Sequence, residues 1–166
     1  EWSVEKFAFI HPGARASLRR WAPARFAEVI KYLYQKYQIV SIIMVTNSEL
    51  SIAKTIQELV PDMGLIVWNS SDSLLTAYEI IRKADVFIGN ESGPLQLADA
   101  AKVPLIGLFG PGVKNVFYPQ HQKSVVIHEI LECNPCDQIK CKFPEFTCMD
   151  RISVDKVNLS IDKLLN

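Results

Sequence analysis

Residues 84–112 read ADVFIGNESGPLQLADAAKVPLIGLFGPG, and the fold follows from them. Val86-Phe87-Ile88 is a short apolar run that reads as a buried strand. It breaks at Gly89-Asn90-Glu91-Ser92-Gly93. Pro94 follows, and Leu95, Leu97, Ala98, Ala100 and Ala101 have the spacing and propensity of a helix. Val103-Pro104 ends that helix. Leu105-Ile106-Gly107-Leu108-Phe109 is a second apolar strand, stopped by Gly-Pro-Gly. The stretch is a strand–turn–helix–strand unit with its turn chemistry visible.

The turn has the makings of a ligand site. Ser92 suits an N-cap, Gly93 lets a ligand approach the backbone, and Pro94 suits the first helical turn. The first amides of a helix lack internal partners and, with the helix dipole, favour an anion such as phosphate. In open α/β sheets such sites lie at the carboxyl ends of the strands. Glu91 would repel phosphate but can accept hydrogen bonds from sugar or ribose hydroxyls. The plainer alternative is a simple connection in which Ser92 caps the helix and Glu91 is solvated.

The same alternation extends outward. Strands are predicted at 7–10, 39–45, 64–68 and 124–127, besides the two above. Helices are predicted over 24–37, with Phe26, Val29, Ile30 and Leu33 inward, and over 49–60, with Leu50, Ala53, Ile56 and Leu59 inward. A third runs over 73–83 with Leu74, Ala77, Ile80 and Ile81 inward. Val154, Val157, Ile161 and Leu164-Leu165 mark a closing helix. Turns are expected at Thr46-Asn47-Ser48 and Asn69-Ser70-Ser71-Asp72. A loop containing Asn115 and His121 is expected at 111–123. This pattern predicts an α/β, Rossmann-like, doubly wound and mostly parallel six-stranded sheet. One domain over 1–166 is expected, with a cysteine-rich loop at 130–150. The dinucleotide fingerprint G-x-G-x-x-G is absent, which removes the usual marker of an NAD or FAD oxidoreductase.

Composition excludes several classes. The 166 residues are 49% hydrophobic and 22% charged, enough for a sizeable core and unlike a disordered chain. Net charge is zero, so no global field draws nucleic acid. No apolar run approaches the roughly 20 residues that span a bilayer. The opening Glu1-Trp2-Ser3-Val4-Glu5-Lys6 lacks a basic region leading into an apolar one, and it starts without Met just before a strand. It reads as a piece of a longer cytoplasmic chain with no signal peptide.

A second informative stretch is HPGARASLRRWAP, residues 11–23. Its Pro12-Gly13-Ala14 turn follows the first strand and should share a sheet edge with Ser92-Gly93. Arg15, Arg19 and Arg20 are then placed to reach a pyrophosphate, which guanidinium groups bind in a forked geometry. The alternative is a solvated basic loop with Trp21 in the core. His11 reads as a structural strand-end histidine, and Glu49 as an exposed helix-start carboxylate stabilised by the dipole. Cys133, Cys136, Cys141 and Cys148 form C-x2-C-x4-C-x6-C. Four sulfurs so close in sequence suit a tetrahedral zinc or iron. Reduced thiols and disulfides remain open readings.

Together these motifs resemble family 9 glycosyltransferases, the heptosyltransferases. The matching residues at the donor turn are Glu91, Ser92, Gly93, Gln96 and Phe109-Gly110-Pro111. In the basic turn they are Gly13, Ala14 and Arg19, with Arg20 beside it. The family usually has Asp where Glu91 stands, His where Gln96 stands and Lys where Arg19 stands. Some members also carry cysteines before the last helix, as Cys148-Met149 does here. The resemblance implies the C-terminal, donor-binding half of a two-domain GT-B enzyme. It implies an inverting transfer from a nucleotide-sugar, ADP-heptose above all, to a lipopolysaccharide core, at the inner face of the bacterial inner membrane. The nucleotide-sugar would meet Gly13, Ala14, Arg15, Arg19, Arg20, Glu91, Ser92, Gly93 and Gln96, with Glu49 as a further ribose partner. No cofactor is required for transfer, and any zinc or iron at the four cysteines would be structural. The general base would come from an N-terminal half, so these residues alone would bind donor without transferring it. Two other readings are a transferase that modifies protein and a non-catalytic nucleotide-binding or metal-stapled module.

Overall fold

The computed structural model describes residues 5–70, 73–113 and 116–166. The expectations for residues 1–4, for Ser71-Asp72 in a turn and for Asn115 in a loop lie outside the described residues. In chain order the strands are β1 (Phe7–His11), β2 (Val40–Val45), β3 (Leu65–Asn69), β4 (Val86–Asn90), β5 (Leu105–Phe109) and β6 (Ser124–His128). The helices are α1 (Pro23–Tyr37), α2 (Leu50–Leu59), α3 (Leu74–Ile81), α4 (Gly93–Ala100) and α5 (Val154–Leu165). Short 3-10 turns at Ser17–Arg19 and Asn47–Glu49 precede α1 and α2.

All five strand pairings are parallel, in the order β3-β2-β1-β4-β5-β6. The chain builds outward from β1 in one direction, then returns to β1 and builds outward in the other. The carboxyl ends of β1 and β4 therefore lie side by side at the point where strand order reverses, with His11 opposite Gly89. That is where open α/β sheets leave a crevice.

Period-2 alternation divides the core between the two faces of the sheet. Ala8, Ile10, Ile43, Val86, Ile88, Ile106 and Leu108 pack on α1, α2 and α5 through Phe26, Ile30, Leu33, Ile56 and Ile161. Phe7, Phe9, Met44, Phe87, Leu105 and Phe109 pack on α3 and α4 through Ala77, Ile81, Leu95 and Ala98. One layer is mainly aliphatic and the other rich in aromatics, with the Phe9 and Phe87 rings stacked at 6.0 Å. Helix α5 is tied to α1 at its polar edge. The Asp162 carboxylate accepts hydrogen bonds from Tyr32 and Tyr37 at 2.7 Å each and from Lys36 at 2.9 Å. These donors hold its pKa down at about 2.

Three inward assignments from helical spacing fail. Leu50 and Leu59 are exposed at the two ends of α2, and Leu74 is 70% exposed at the start of α3. All three are the first or last residue of their helix, where the helix face runs out to solvent and not onto the sheet. The contrast is measurable in urea titrations. Phe87→Ala should cost about 3–5 kcal/mol, and Leu74→Ser should change stability by less than about 0.5 kcal/mol.

Candidate functional site

The crevice at the strand-order switch is a cleft of about 510 Å³. His11, Ala14, Arg15 and Arg19 line one side, Glu91, Ser92, Gly93, Pro94 and Gln96 the other, and Met44, Thr46, Glu49 and Phe117 complete it. The two stretches singled out in the sequence thus meet across one cavity.

Their meeting depends on a residue that spacing did not reveal. Asn90 ends β4 and is fully buried. Its Nδ2 donates to the carbonyls of Pro12 at 2.8 Å and Gly13 at 3.3 Å, and its Oδ1 accepts from the Trp21 amide at 3.1 Å. The basic turn is fastened at both ends to the strand that leads into α4. Trp21 is itself buried and donates its indole N–H to Ile152 at 3.0 Å. The one sequence signal for Asn90 is a polar residue closing an otherwise apolar strand.

Ser92 occupies the N-cap position of α4, but its side chain does not cap. The hydroxyl donates backward to the Asn90 carbonyl at 2.9 Å. The expectation of a side-chain cap is therefore corrected, with a consequence for the site. The first amides of α4 remain for a ligand at the positive end of the helix dipole. Gly93 points the same way. A Cβ there would meet nothing within 4 Å, whereas at the other six glycines it would meet neighbouring atoms. Packing does not require glycine at 93, and an open cleft wall is what its missing side chain provides.

The carboxylates are the other surprise. Glu91 is only 3% exposed, and neither of its oxygens has a hydrogen-bond partner. Its charge is met by the Arg19 Nη1 at 3.4 Å. Burial raises its pKa above the usual carboxylate range, and the Arg19 charge opposes that rise. A buried carboxylate without donors in a cleft wall is chemically an acceptor for ligand hydroxyls. Glu49, expected to be exposed, is buried. It accepts from the Thr46 amide at 3.0 Å and the Thr46 hydroxyl at 2.9 Å. Each carboxylate leans on a glycine, since a Cβ on Gly13 would overlap Glu49 and one on Gly112 would overlap Glu91. His11 is buried with its Nδ1 at 3.1 Å from the Met44 carbonyl, and burial lowers its pKa.

The three arginines separate. Arg15 is exposed on the cleft wall, and Arg19 is partly buried beside Glu91. Arg20 is not among the residues lining the cleft; its Nε donates to the Ala14 carbonyl at 2.8 Å and braces the turn. Gln96 donates its side-chain amide to the Phe117 carbonyl at 2.8 Å, while Asp99 accepts from the Gln120 amide at 3.0 Å. Both contacts hold the segment before β6 against α4.

The four cysteines are free thiols around a separate cavity of about 390 Å³, which Leu18 and Pro111 also line. Burial, reinforced by Cys141, Cys133 and Cys136, raises the Cys148 pKa. Among the described residues no group of three or more His, Cys, Asp or Glu is arranged to hold a metal ion.

A parallel α/β sheet, an uncapped helix start and a basic turn at the switch point suit a phosphate-bearing ligand. Comparison with known proteins narrows it. The model for glycosyltransferase family 9 (heptosyltransferase) matches residues 3–147. The chain belongs to this family. Lipooligosaccharide heptosyltransferase 2 of Campylobacter jejuni is 29% identical over 164 residues, covering 96% of this chain and 52% of the relative. The chain thus spans about half the length of that relative. Solved heptosyltransferases share the fold. ADP-heptose LPS heptosyltransferase II of E. coli superposes with a TM-score of 0.81 at 20% identity, covering 99% of this chain and 47% of the other. The dodecameric iron-containing heptosyltransferase TibC of E. coli, solved with ADP-D-β-D-heptose, gives 0.73 at 19% identity, covering 99% and 46%. No helix among the described residues of this family 9 chain is long and apolar enough to cross a membrane.

Proposed function

We propose that this chain is the donor-binding, C-terminal-like half of an inverting heptosyltransferase that uses ADP-heptose and acts on a lipopolysaccharide or lipooligosaccharide core. The observation that carries the reading is the start of α4, where Ser92 leaves the first amides uncapped and Gly93 opens onto the cleft. A diphosphate placed there would lie at the helix N-terminus, with Arg15 and Arg19 on the opposite wall. The donor's glycosidic bond breaks in the transfer, and negative charge develops on the departing nucleoside diphosphate. Helix amides and guanidinium groups lining that position would stabilise it. Glu91 would accept hydrogen bonds from sugar or ribose hydroxyls, and Glu49, across the cleft, is a second acceptor. The acceptor's general base would belong to the other half of the enzyme, which would work at the cytoplasmic face of the inner membrane.

Calorimetric titration with ADP, UDP and GDP tests the reading. ADP should bind selectively. Arg19→Ala should weaken it at least about tenfold, the loss of a charge-assisted contact. Gly93→Ala should weaken it comparably while leaving the melting temperature unchanged or higher, because alanine is the better helix residue. Equal binding of the three nucleotides, or full affinity in Gly93→Ala, would contradict it.

The cysteine loop has a structural part in this proposal. Its four thiols have the soft-donor chemistry of a zinc or iron staple, and an ion would have to draw them together from their present arrangement. Metal analysis of the purified protein should then find about one equivalent, lost together with thermal stability in Cys136→Ser. Metal-free protein with unchanged melting would leave the loop stapled by packing alone.

A further inference from the structure

The cysteine-rich loop does more than close the end of the sheet. It packs directly on the basic turn, since Leu18, which precedes Arg19, lines the cysteine cavity. It is also joined to the turn after β5. The Asn134 side chain donates to the Gly110 carbonyl, and the Cys136 amide donates to Pro111 at 3.3 Å. From this anchored base one side chain reaches across. Gln138 Oε1 accepts from Arg19 Nε at 2.5 Å.

Gln138 lies at φ 62°, a left-handed conformation that glutamine seldom adopts. Arg19 then has two fixed partners at different parts of its guanidinium, Gln138 at Nε and Glu91 at Nη1. A long, flexible arginine is thereby given one orientation over the cleft, which spares the ligand part of the cost of ordering it.

We propose that Gln138 is a positioning residue for the donor diphosphate, acting through Arg19 and not by touching the ligand. The inference rests on the cleft's being the donor site. It gives the cysteine loop a second task, presenting the guanidinium, and it places a residue 119 positions away in sequence in control of nucleotide affinity.

The test is a double-mutant cycle read by ADP calorimetry on wild type, Gln138→Asn, Arg19→Ala and the double variant. Asparagine tolerates the left-handed backbone and shortens only the arm, so the loop keeps its path. Gln138→Asn should weaken ADP binding about tenfold with an unchanged melting temperature. In the Arg19→Ala background the same substitution should have no further effect, which distinguishes action through Arg19 from a general loosening of the loop. Unaltered affinity in Gln138→Asn, or an equal loss in both backgrounds, overturns the proposal and leaves the donor-site reading standing. Failure of wild type to bind ADP, or full affinity in Arg19→Ala, overturns both.

Discussion

The buried side chain of Asn90 is the constraint on which the cleft depends. It is the hinge pin between two loops that are far apart in sequence. One amide group satisfies the carbonyl of Pro12 and the backbone N–H of Trp21, both of which burial would otherwise leave without partners. An unsatisfied buried group costs about 1–3 kcal/mol, so the turn after β1 has a strong reason to stay against the turn after β4. The cleft residues are arranged around that junction. Arg15 and Arg19 arrive on one side, and Glu91, Ser92 and Gly93 on the other. Parallel topology brings the strand ends together, and Asn90 fixes how their loops face each other.

The electrostatics of the cleft leave Glu91 only partly compensated. Glu91 is a buried carboxylate, relieved by one guanidinium at 3.4 Å. Its pKa is raised by burial, so the folded chain holds protons there more tightly than the unfolded chain does. The sign follows from linkage. The stabilising contribution is fully present below the unfolded pKa and is lost as pH rises through the folded value. In its ionised form Glu91 is therefore held against local stability. Such a group is ready for hydroxyl donors, and the same arginine that relieves it is the one a diphosphate would share.

Much of this was legible in the sequence, and the failures have physical causes. All six strands lie where apolar runs and turn residues placed them, because a parallel sheet buried on both faces needs continuous hydrophobic segments. The two stretches at 11–23 and 84–112 do meet across one cavity, as a shared sheet edge implies. Helix ends were less legible. Leu50, Leu59 and Leu74 continue an apolar rhythm past the point where anything packs on them. Side-chain direction was least legible. Ser92 has the identity of a cap but bonds backward to Asn90, and Arg20 is adjacent to Arg19 but turns to the Ala14 carbonyl. Glu49 looked solvated because local pattern cannot show that the Gly13 turn lies against it. Gln138 carried no local signal, since its partner is brought close only by the fold.

The central claim is that the start of α4 receives the donor's phosphates, and backbone amide spectra recorded during ADP titration test it most directly. The account predicts that the amide signals of Gly93, Leu95 and Gln96 move furthest, together with the Arg19 Nε–H. Saturable ADP binding that leaves these four signals in place and shifts a different part of the sheet would contradict it.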